Sequence, residues 1–327
     1  MTTLSLDAHV LAALFTPEGA VFVTADGRVH FEGAEPVQAH EDSALAACAH
    51  PSGSGVVTTG DDGRVVWSRP GHNEVVAELP GKWIDSVTAS PASGLIAFAT
   101  GREVHVRDTA DEAFARSFGL ERACAGLAFE PKGRRLAAAT YGGAALIYAR
   151  VSEQVPQMLK WAGSHVAVQF SPDGKFLVTA TQENELHAWR LADGKDMRMS
   201  GYPAKIRSLA FLGKGALMAT SGAQGAVVWP FNGANGPMGK EAAEVWVEAA
   251  RDDEELRVTR VAAAHASLRL CAGLSDGRIW AAQLDSRGLV YPKAETGQPI
   301  SALSVSPDGA RLAWGDEAGG AGVIPLA

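Results

Sequence analysis

Residues 165–190, HVAVQFSPDGKFLVTATQENELHAWR, decide the fold. An apolar run ends at the turn 171–174, and a polar turn then separates a second run, 177–180, from a third, 186–189. Apolar and polar side chains alternate within these runs, which is the period of half-buried β-strands and not of an α-helix. The stretch therefore predicts three short antiparallel strands joined by tight turns.

The same pattern recurs along most of the chain. If Pro172 marks its turn, the equivalent positions are residues 17, 51, 91, 131, 172, 213, 266 and 307, of which 213 and 266 are degenerate copies. Successive intervals are 34, 40, 40, 41, 41, 53 and 41 residues. A fourth, more polar strand follows in several copies, for example at 73–79, 113–118, 154–160 and 195–199. Four short antiparallel strands per ~40 residues predict the blades of a β-propeller.

We expect a single all-β domain over residues 1–327, folded as an eight-bladed β-propeller with four-stranded antiparallel blades. Its repeats start near residues 10, 44, 84, 124, 165, 206, 259 and 300. The eighth repeat ends at its third strand, so residues 2–6 are expected to supply the outer strand of the last blade and to close the ring. Seven blades, with one degenerate copy outside the ring, are the alternative.

Composition and charge exclude several classes of function. Apolar residues make up 46% of the chain, charged residues 20%, and the net charge is −8, which argues against a general nucleic-acid or anionic-membrane binder. No apolar run reaches the ~18 residues of a membrane span, and the first residues do not resemble a signal peptide. Cys48, Cys124 and Cys271 lie in apolar runs and are expected to be buried thiols in a reducing compartment. We expect a cytoplasmic protein.

The repeats resemble those of the WD40 family. Residues 165–181 with the ending 186–190 are the clearest match. In the second repeat, residues 39–45 resemble the Gly-His start of that family's repeat, and the turn 61–63 precedes Trp67. The resemblance covers nearly the whole chain, although each single copy is degenerate. It implies a non-enzymatic scaffold that binds peptides or partner subunits at the narrow face and rims of the ring.

The resemblance also implies structural residues inside the blades. The family carries a buried His–Ser/Thr–Asp–Trp hydrogen-bond network, and its candidates in the second repeat are His40, Thr59, Asp62 and Trp67. Trp67 lies one residue closer to the Asp-Gly turn than the family pattern has it. In the fifth repeat Trp189 has the family spacing, but no matching histidine or turn aspartate accompanies it. Apolar packing is therefore expected to hold most blades together.

A candidate partner-binding rim follows from aligning the repeats. The residues that lead into each innermost strand should surround one mouth of the channel, and the basic and aromatic ones cluster on blades three to seven. They are Lys82, Trp83, Arg122, Lys160, Trp161, Tyr202, Lys205, Arg207, Arg257 and Arg260. Trp, Tyr and Arg are enriched at interface hot spots, so this rim predicts a protein partner, in particular an acidic peptide. Ordinary solvated loop residues are the alternative reading.

The long interval between the sixth and seventh repeats is the other irregularity. Residues 240–257 carry seven acidic residues around Trp246, and 244–248 are expected to form the outer strand of blade six. An exposed edge strand has unpaired backbone groups, so this segment could support self-association. A solvated acidic loop without such a role is the alternative.

The chemistry of the remaining residues favours binding over catalysis. The nine histidines are scattered and form no HxxxH or HExxH pattern, and Asp26, Asp62 and Asp276 precede turn glycines, where they stabilise hairpins. We therefore expect no catalytic residues, no metal and no cofactor. The alternatives are a propeller hydrolase or lactonase with its site in the central channel, or a small-ligand binder there. The predicted innermost strands are mostly Ala, Leu and Val, which argues against a catalytic channel.

Overall fold

A computed structural model describes residues 2–245, 255–286 and 288–326. These residues form thirty β-strands and no α-helix. In chain order the strands are β1 (Thr2–Ser5), β2 (Val10–Thr16), β3 (Gly19–Thr24), β4 (Arg28–Phe31), β5 (Val37–Gln38), β6 (Ala44–Ala49), β7 (Val56–Gly60), β8 (Arg64–Arg69), β9 (His72–Glu78), β10 (Ser86–Ser90), β11 (Leu95–Thr100), β12 (Glu103–Asp108), β13 (Asp111–Gly119), β14 (Cys124–Phe129), β15 (Arg135–Tyr148), β16 (Gln157–Phe170), β17 (Phe176–Thr181), β18 (Leu186–Arg190), β19 (Asp196–Met199), β20 (Leu209–Leu212), β21 (Leu217–Thr220), β22 (Ala226–Pro230), β23 (Ala243–Val245), β24 (Val258–Ala263), β25 (Arg269–Leu274), β26 (Ile279–Gln283), β27 (Leu289–Lys293), β28 (Ile300–Val305), β29 (Arg311–Asp316) and β30 (Gly320–Pro325).

The strands form an all-β propeller of antiparallel blades, but the expected number of eight blades is wrong. The described residues contain seven hydrogen-bonded sheets. Six of them have four strands, in the orders β2–β3–β4–β5, β6–β7–β8–β9, β10–β11–β12–β13, β20–β21–β22–β23, β24–β25–β26–β27 and β1–β30–β29–β28. The seventh has six strands, in the order β14 to β19.

The six-stranded sheet arises where the fourth and fifth repeats meet. Strand β16 runs without a break from Gln157 to Phe170; its first part pairs with β15 and its last part pairs with β17. The chain stays extended where the sequence analysis expects one blade to end and the next to begin. Strand β15 likewise combines the second and third strands expected for the fourth repeat, because its first half pairs with β14 and its second half with β16. In the described part of the chain every repeat contributes strands to a sheet. The number of seven sheets therefore comes from the joining of the fourth and fifth repeats, and not from a degenerate copy outside the ring.

The chain divides into two compact units. One comprises residues 1–15, 184–186 and 197–327, and the other comprises residues 16–183 and 187–196. In both units the second strand of a sheet is the most buried, as in β11 and β25, whereas outer strands such as β13 are mostly exposed. Strands buried on both faces explain why the sequence shows short continuous apolar runs there. Alanine is frequent among the buried residues, and it packs with large side chains such as Trp189, Trp280 and Phe98.

The first strand completes the sheet formed by the end of the chain. Residues Thr2 to Ser5 of β1 pair antiparallel with Val323 to Gly320 of β30. This is the pairing that the sequence analysis expects for residues 2–6. In the same unit, Ser301 Oγ donates a hydrogen bond of 2.7 Å to the carbonyl of Val10, which ties β28 to β2.

Two further hydroxyl groups link neighbouring strands in this unit. Thr259 Oγ1 donates to the carbonyl of Ile300 at 2.7 Å, and Ser208 Oγ donates to the carbonyl of Val261 at 3.0 Å. The amide of Val261 in turn donates to Ser208 Oγ at 3.0 Å. These bonds hold adjacent sheets by their first strands, where side chains are only partly buried and apolar packing is weaker.

A stacked histidine in the other unit makes stability depend on pH. His50 lies parallel to Trp67 with ring centroids 3.9 Å apart, and the Arg69 guanidinium carbon lies 3.8 Å from the Trp67 ring centroid. Burial of His50, together with the positive charge of Arg69, lowers the pKa of the imidazole to about 4. The folded state therefore binds the proton less tightly than the unfolded chain, whose histidine pKa is about 6.5.

We expect this histidine to destabilise the fold on acidification. Its contribution to stability is complete above pH 6.5 and is lost as the pH falls towards 4. Between pH 7 and pH 5 this loss lowers the free energy of unfolding by about 2 kcal/mol. His50→Phe keeps a stacking ring that cannot be protonated, so its free energy of unfolding should fall by about 2 kcal/mol less over that interval. Urea unfolding at both pH values measures the difference, and the exposed His72→Phe is the control. Parallel pH profiles of wild type and His50→Phe would contradict the assignment.

No helix long and apolar enough to cross a bilayer occurs in the described part of the chain.

The expected outer strand at 244–248 corresponds to β23, Ala243–Val245, which pairs with β22. Residues 246–254, including Trp246, lie outside the described residues, so the self-association expected for 240–257 stays a prediction.

Candidate functional site

A buried histidine organises the sheet β6–β9. His40 is 1% exposed, and its Nδ1 lies 3.0 Å from Asp62 Oδ1 while its Nε2 lies 2.9 Å from Thr58 Oγ1. The amide of Arg64 also donates to Asp62 Oδ1, so the hairpin turn and the histidine share one carboxylate. A Cβ atom at Gly60 would lie 2.5 Å from His40 Nδ1, and therefore only glycine leaves room for this ring.

The network differs from the expected one at two positions. The hydroxyl that contacts His40 belongs to Thr58, whereas Thr59 Oγ1 is buried without a hydrogen-bond partner. Trp67 does not join the network: its Nε1 donates to the carbonyl of Ser54, and its ring stacks on His50. Adjacent residues of a strand face opposite sides of the sheet, so a shift of one position exchanges the two sides.

A second network lies in the six-stranded sheet. His165 is fully buried; its Nε2 donates to the carbonyl of Trp161 at 3.1 Å, and its Nδ1 accepts from Thr179 Oγ1 at 2.7 Å. This arrangement fits the neutral imidazole, and burial lowers the pKa of His165. Trp189 is 2% exposed and packs with its ring centroid 5.8 Å from that of His165.

A tyrosine replaces the histidine in the sheet β20–β23. The Tyr202 hydroxyl lies 2.8 Å from Thr220 Oγ1 and accepts a 2.7 Å hydrogen bond from Trp229 Nε1. Tyr202 is 9% exposed, and burial raises the pKa of its hydroxyl to about 12. Tyr202 and His40 both stand eleven residues before the repeat's turn position, and Thr220 and Thr58 both stand seven after it. That shared spacing is the sequence signal that could have assigned Tyr202 to a structural network instead of the rim.

Part of the expected rim surrounds a cavity in the unit of residues 16–183 and 187–196. The cavity has a volume of about 300 Å³. Its lining comes from the loop before β14, the middle of β15 and the first part of β16. These residues are Leu120, Glu121, Arg122, Thr140, Tyr141, Gly142, Ala145, Met158, Lys160, Trp161 and Ala162. The structure thus brings together Arg122, Lys160 and Trp161, which the sequence analysis selected, and adds Tyr141, which it did not.

The cavity combines positive charge with aromatic surface. Arg122 and Lys160 are exposed, and among the described residues neither lies within 4 Å of a carboxylate oxygen. Tyr141 is 64% exposed and lies within β15 next to Gly142, which adopts φ +85°. Trp161 is half-buried because its ring stacks on His187 at 3.9 Å, which fixes its orientation. Glu121 is the acidic residue of the lining.

The other expected rim residues are placed differently. Lys82 and Trp83 are exposed in the loop before β10, Trp83 by 71%, and they do not line the cavity. In the other unit, Tyr202 is buried in the network described above, and Lys205 and Arg207 are exposed. Arg257 and Arg260 are half-buried in or next to the innermost strand β24.

The described residues contain no assembled metal site. No group of three or more His, Cys, Asp or Glu side chains among them could hold a metal ion. Burial raises the pKa of the Cys48, Cys124 and Cys271 thiols to about 12, so their thiolate forms are strongly disfavoured.

Comparisons with known proteins agree with the fold and the repeat. Residues 158–190 match the family described as "WD domain, G-beta repeat". A comparison with curated protein sequences finds no match. A crystal structure of the computationally designed Ika8 protein is 15% identical, covers 98% of each chain and superimposes with a TM-score of 0.73, a likeness that shows the fold alone. The WD40 match and the propeller arrangement together support placing this chain in the WD40-repeat propeller family.

Proposed function

We propose that this protein is a non-enzymatic interaction scaffold whose cavity at Arg122, Tyr141, Lys160 and Trp161 receives an acidic segment of a partner protein. The WD40 propeller fold commonly serves as a protein-interaction scaffold and is typically non-enzymatic. The observation that carries the proposal is the convergence of two unpaired cations with an exposed and a half-buried aromatic ring at one cavity.

Charge supports an acidic partner. The protein carries a net charge of −8, whereas the lining of this cavity carries two cations and one carboxylate, Glu121, and so a net charge of +1. Opposite charge across an interface accelerates encounter and selects among partners. Removal of Arg122 and Lys160 should therefore affect recognition much more than folding, because exposed charges contribute little to stability.

The aromatic residues support binding of a side chain next to the acidic one. Tyr141 and Trp161 offer rigid apolar surface, and Met158 and Leu120 add apolar side chains to the lining. Tyr and Trp give large contact areas while losing little conformational entropy. A volume of about 300 Å³ lies at the lower end of ligand pockets, which suits one or two side chains of an extended peptide.

A catalytic channel receives less support. A propeller enzyme needs several polar side chains that converge from inner strands, whereas β6 reads ALAACA and β14 reads CAGLAF. Of the two cations of the cavity, Arg122 lies on the loop before β14, where binding residues are often found, and Lys160 lies in β16.

The test is a selection of random twelve-residue peptides on the purified protein, followed by fluorescence anisotropy with the peptides recovered. We expect them to contain Asp or Glu next to an apolar residue. The double variant Arg122→Glu plus Lys160→Glu should bind them at least tenfold more weakly, and Tyr141→Ala about tenfold more weakly, with unchanged melting temperatures.

The matched control is Lys132→Glu plus Arg134→Glu, which makes the same change in net charge at two exposed residues outside the cavity. It should bind the selected peptides like the wild type. Equal losses in both double variants would mean that overall charge, and not this cavity, attracts the peptides. Selected peptides without acidic residues would reject the proposed partner class.

A further inference from the structure

A second pair of cations lies in the other unit, apart from the cavity proposed for partner binding. Arg207 directly precedes Ser208, and Arg260 directly precedes Val261. Ser208 Oγ exchanges two hydrogen bonds of 3.0 Å with the backbone of Val261. These bonds join the residue before β20 to strand β24, and Arg207 and Arg260 immediately precede the two joined positions. The charge of Arg207 is near enough to lower the pKa of Arg260.

One carboxylate faces this pair. Arg207 Nη1 lies 3.9 Å from Glu317 Oε1, beyond hydrogen-bond distance, and both side chains are more than a third exposed. Glu317 is positioned by its own amide, which donates to the carbonyl of Pro299 at 3.1 Å. Two guanidinium groups and one carboxylate leave a net charge of +1 at the site.

The positive charge of Arg260 is less well compensated than that of Arg207. Its Nη1 donates to the carbonyl of Thr259 at 3.0 Å, and none of the carboxylate oxygens in the described part of the chain lies within 4 Å of its guanidinium. Arg260 is half-buried, and this burial, together with the nearby charge of Arg207, lowers its pKa to about 10. A partly desolvated cation beside a second cation is an unfavourable arrangement that an added anion relieves.

We infer that Arg207 and Arg260 form a binding site for a small monocarboxylate. One carboxylate neutralises the net charge of +1, whereas a phosphate dianion would leave the site with a net charge of −1. Guanidinium groups present several N–H donors in a planar array, and two of them can hold both oxygens of one carboxylate. The exposed Arg207 and Glu317 leave the site open to solvent, so a small anion can reach it.

The inference also predicts an unusual relation between stability and binding. Without an anion, Arg260→Met should be at least as stable as the wild type, because replacing an uncompensated, partly buried charge by an apolar side chain is often neutral or stabilising. The same variant should lose the anion response. Replacing a residue that only supports the fold would instead lower the melting temperature.

The experiment follows the melting temperature of the full chain during titration with sodium propionate, with sodium chloride added to keep the ionic strength constant. We expect a saturable rise for the wild type in the millimolar range, because a ligand that binds only the folded state stabilises it. Arg260→Met and Arg207→Met should each weaken the response at least tenfold. Arg134→Met, which removes an exposed cation in the other unit, should respond like the wild type.

Three results would overturn the inference. The first is an equal response of all four proteins, which would mean a general salt effect. The second is a response to phosphate at pH 8 and none to propionate, which would mean a different class of anion. The third is a lower melting temperature of Arg260→Met before any titration, which would mean a structural role. None of these results bears on the peptide cavity, whose residues are unchanged in every variant.

Discussion

Replacing Trp189 by alanine is expected to lower the free energy of unfolding by about 3–5 kcal/mol. Trp189 is 2% exposed and belongs to a core cluster with Leu177, Phe170 and Leu159. Its ring also packs against His165 and His187, with centroid distances of 5.8 and 4.4 Å. Truncation removes the buried apolar area and leaves a cavity that the rigid strands around it cannot fill.

Urea unfolding, followed by circular dichroism, measures this loss. Trp83→Ala is the matched control, because Trp83 is 71% exposed and the same chemical change there should shift the free energy of unfolding by no more than about 0.5 kcal/mol. If Trp189→Ala unfolded at nearly the same urea concentration as Trp83→Ala, the core assigned to the six-stranded sheet would be wrong.

The second large effect is expected at His40. Replacing this histidine by alanine should destabilise the fold by about 3 kcal/mol, because it leaves a cavity and removes a partner from both Asp62 and Thr58. Asp62 keeps the hydrogen bond from the Arg64 amide, which limits the cost. The side chain of Asp62 is 9% exposed, so water replaces the lost partner only in part.

A double-mutant cycle separates the cavity from the lost interaction. Asp62→Asn should be costly in the wild type and much less costly in His40→Ala, with a coupling energy of about 1–2 kcal/mol. His72→Ala, at an exposed position of β9, is the control for a histidine deletion and should be neutral. Additive effects of the two substitutions would show that His40 and Asp62 do not stabilise each other.

The repeat and its strands could be predicted from the sequence because they depend on local patterns. Alternating apolar residues and Pro/Gly turns locate strands such as β17 and β18 within a residue, and the pairing of residues 2–5 follows from the missing strand of the last repeat. The number of sheets could not be predicted from the sequence, because it depends on whether the chain stays extended between residues 160 and 165. Gly163, with φ +121°, lies inside the continuous strand β16, where its sequence suggested a break.

The direction in which individual side chains point was harder to predict from the sequence than the positions of the strands. Thr58 and not Thr59 contacts His40, because adjacent residues of β7 face opposite sides of the sheet and the sequence alone does not show which of the two faces the histidine. Position in a repeat identified Tyr202 as a rim residue, but its hydroxyl is buried against Thr220. Arg122, Lys160 and Trp161 could be selected from the sequence, whereas Tyr141 was missed because it lies in the middle of β15 and not before an innermost strand.

The most direct test of the binding account is hydrogen–deuterium exchange of the protein with and without a saturating selected peptide. The account predicts slower amide exchange in residues 120–122, 141–142 and 158–162, which line the cavity, and unchanged exchange in residues 130–135 and 172–174. Protection confined to the latter two segments, or spread evenly over the chain, would contradict it.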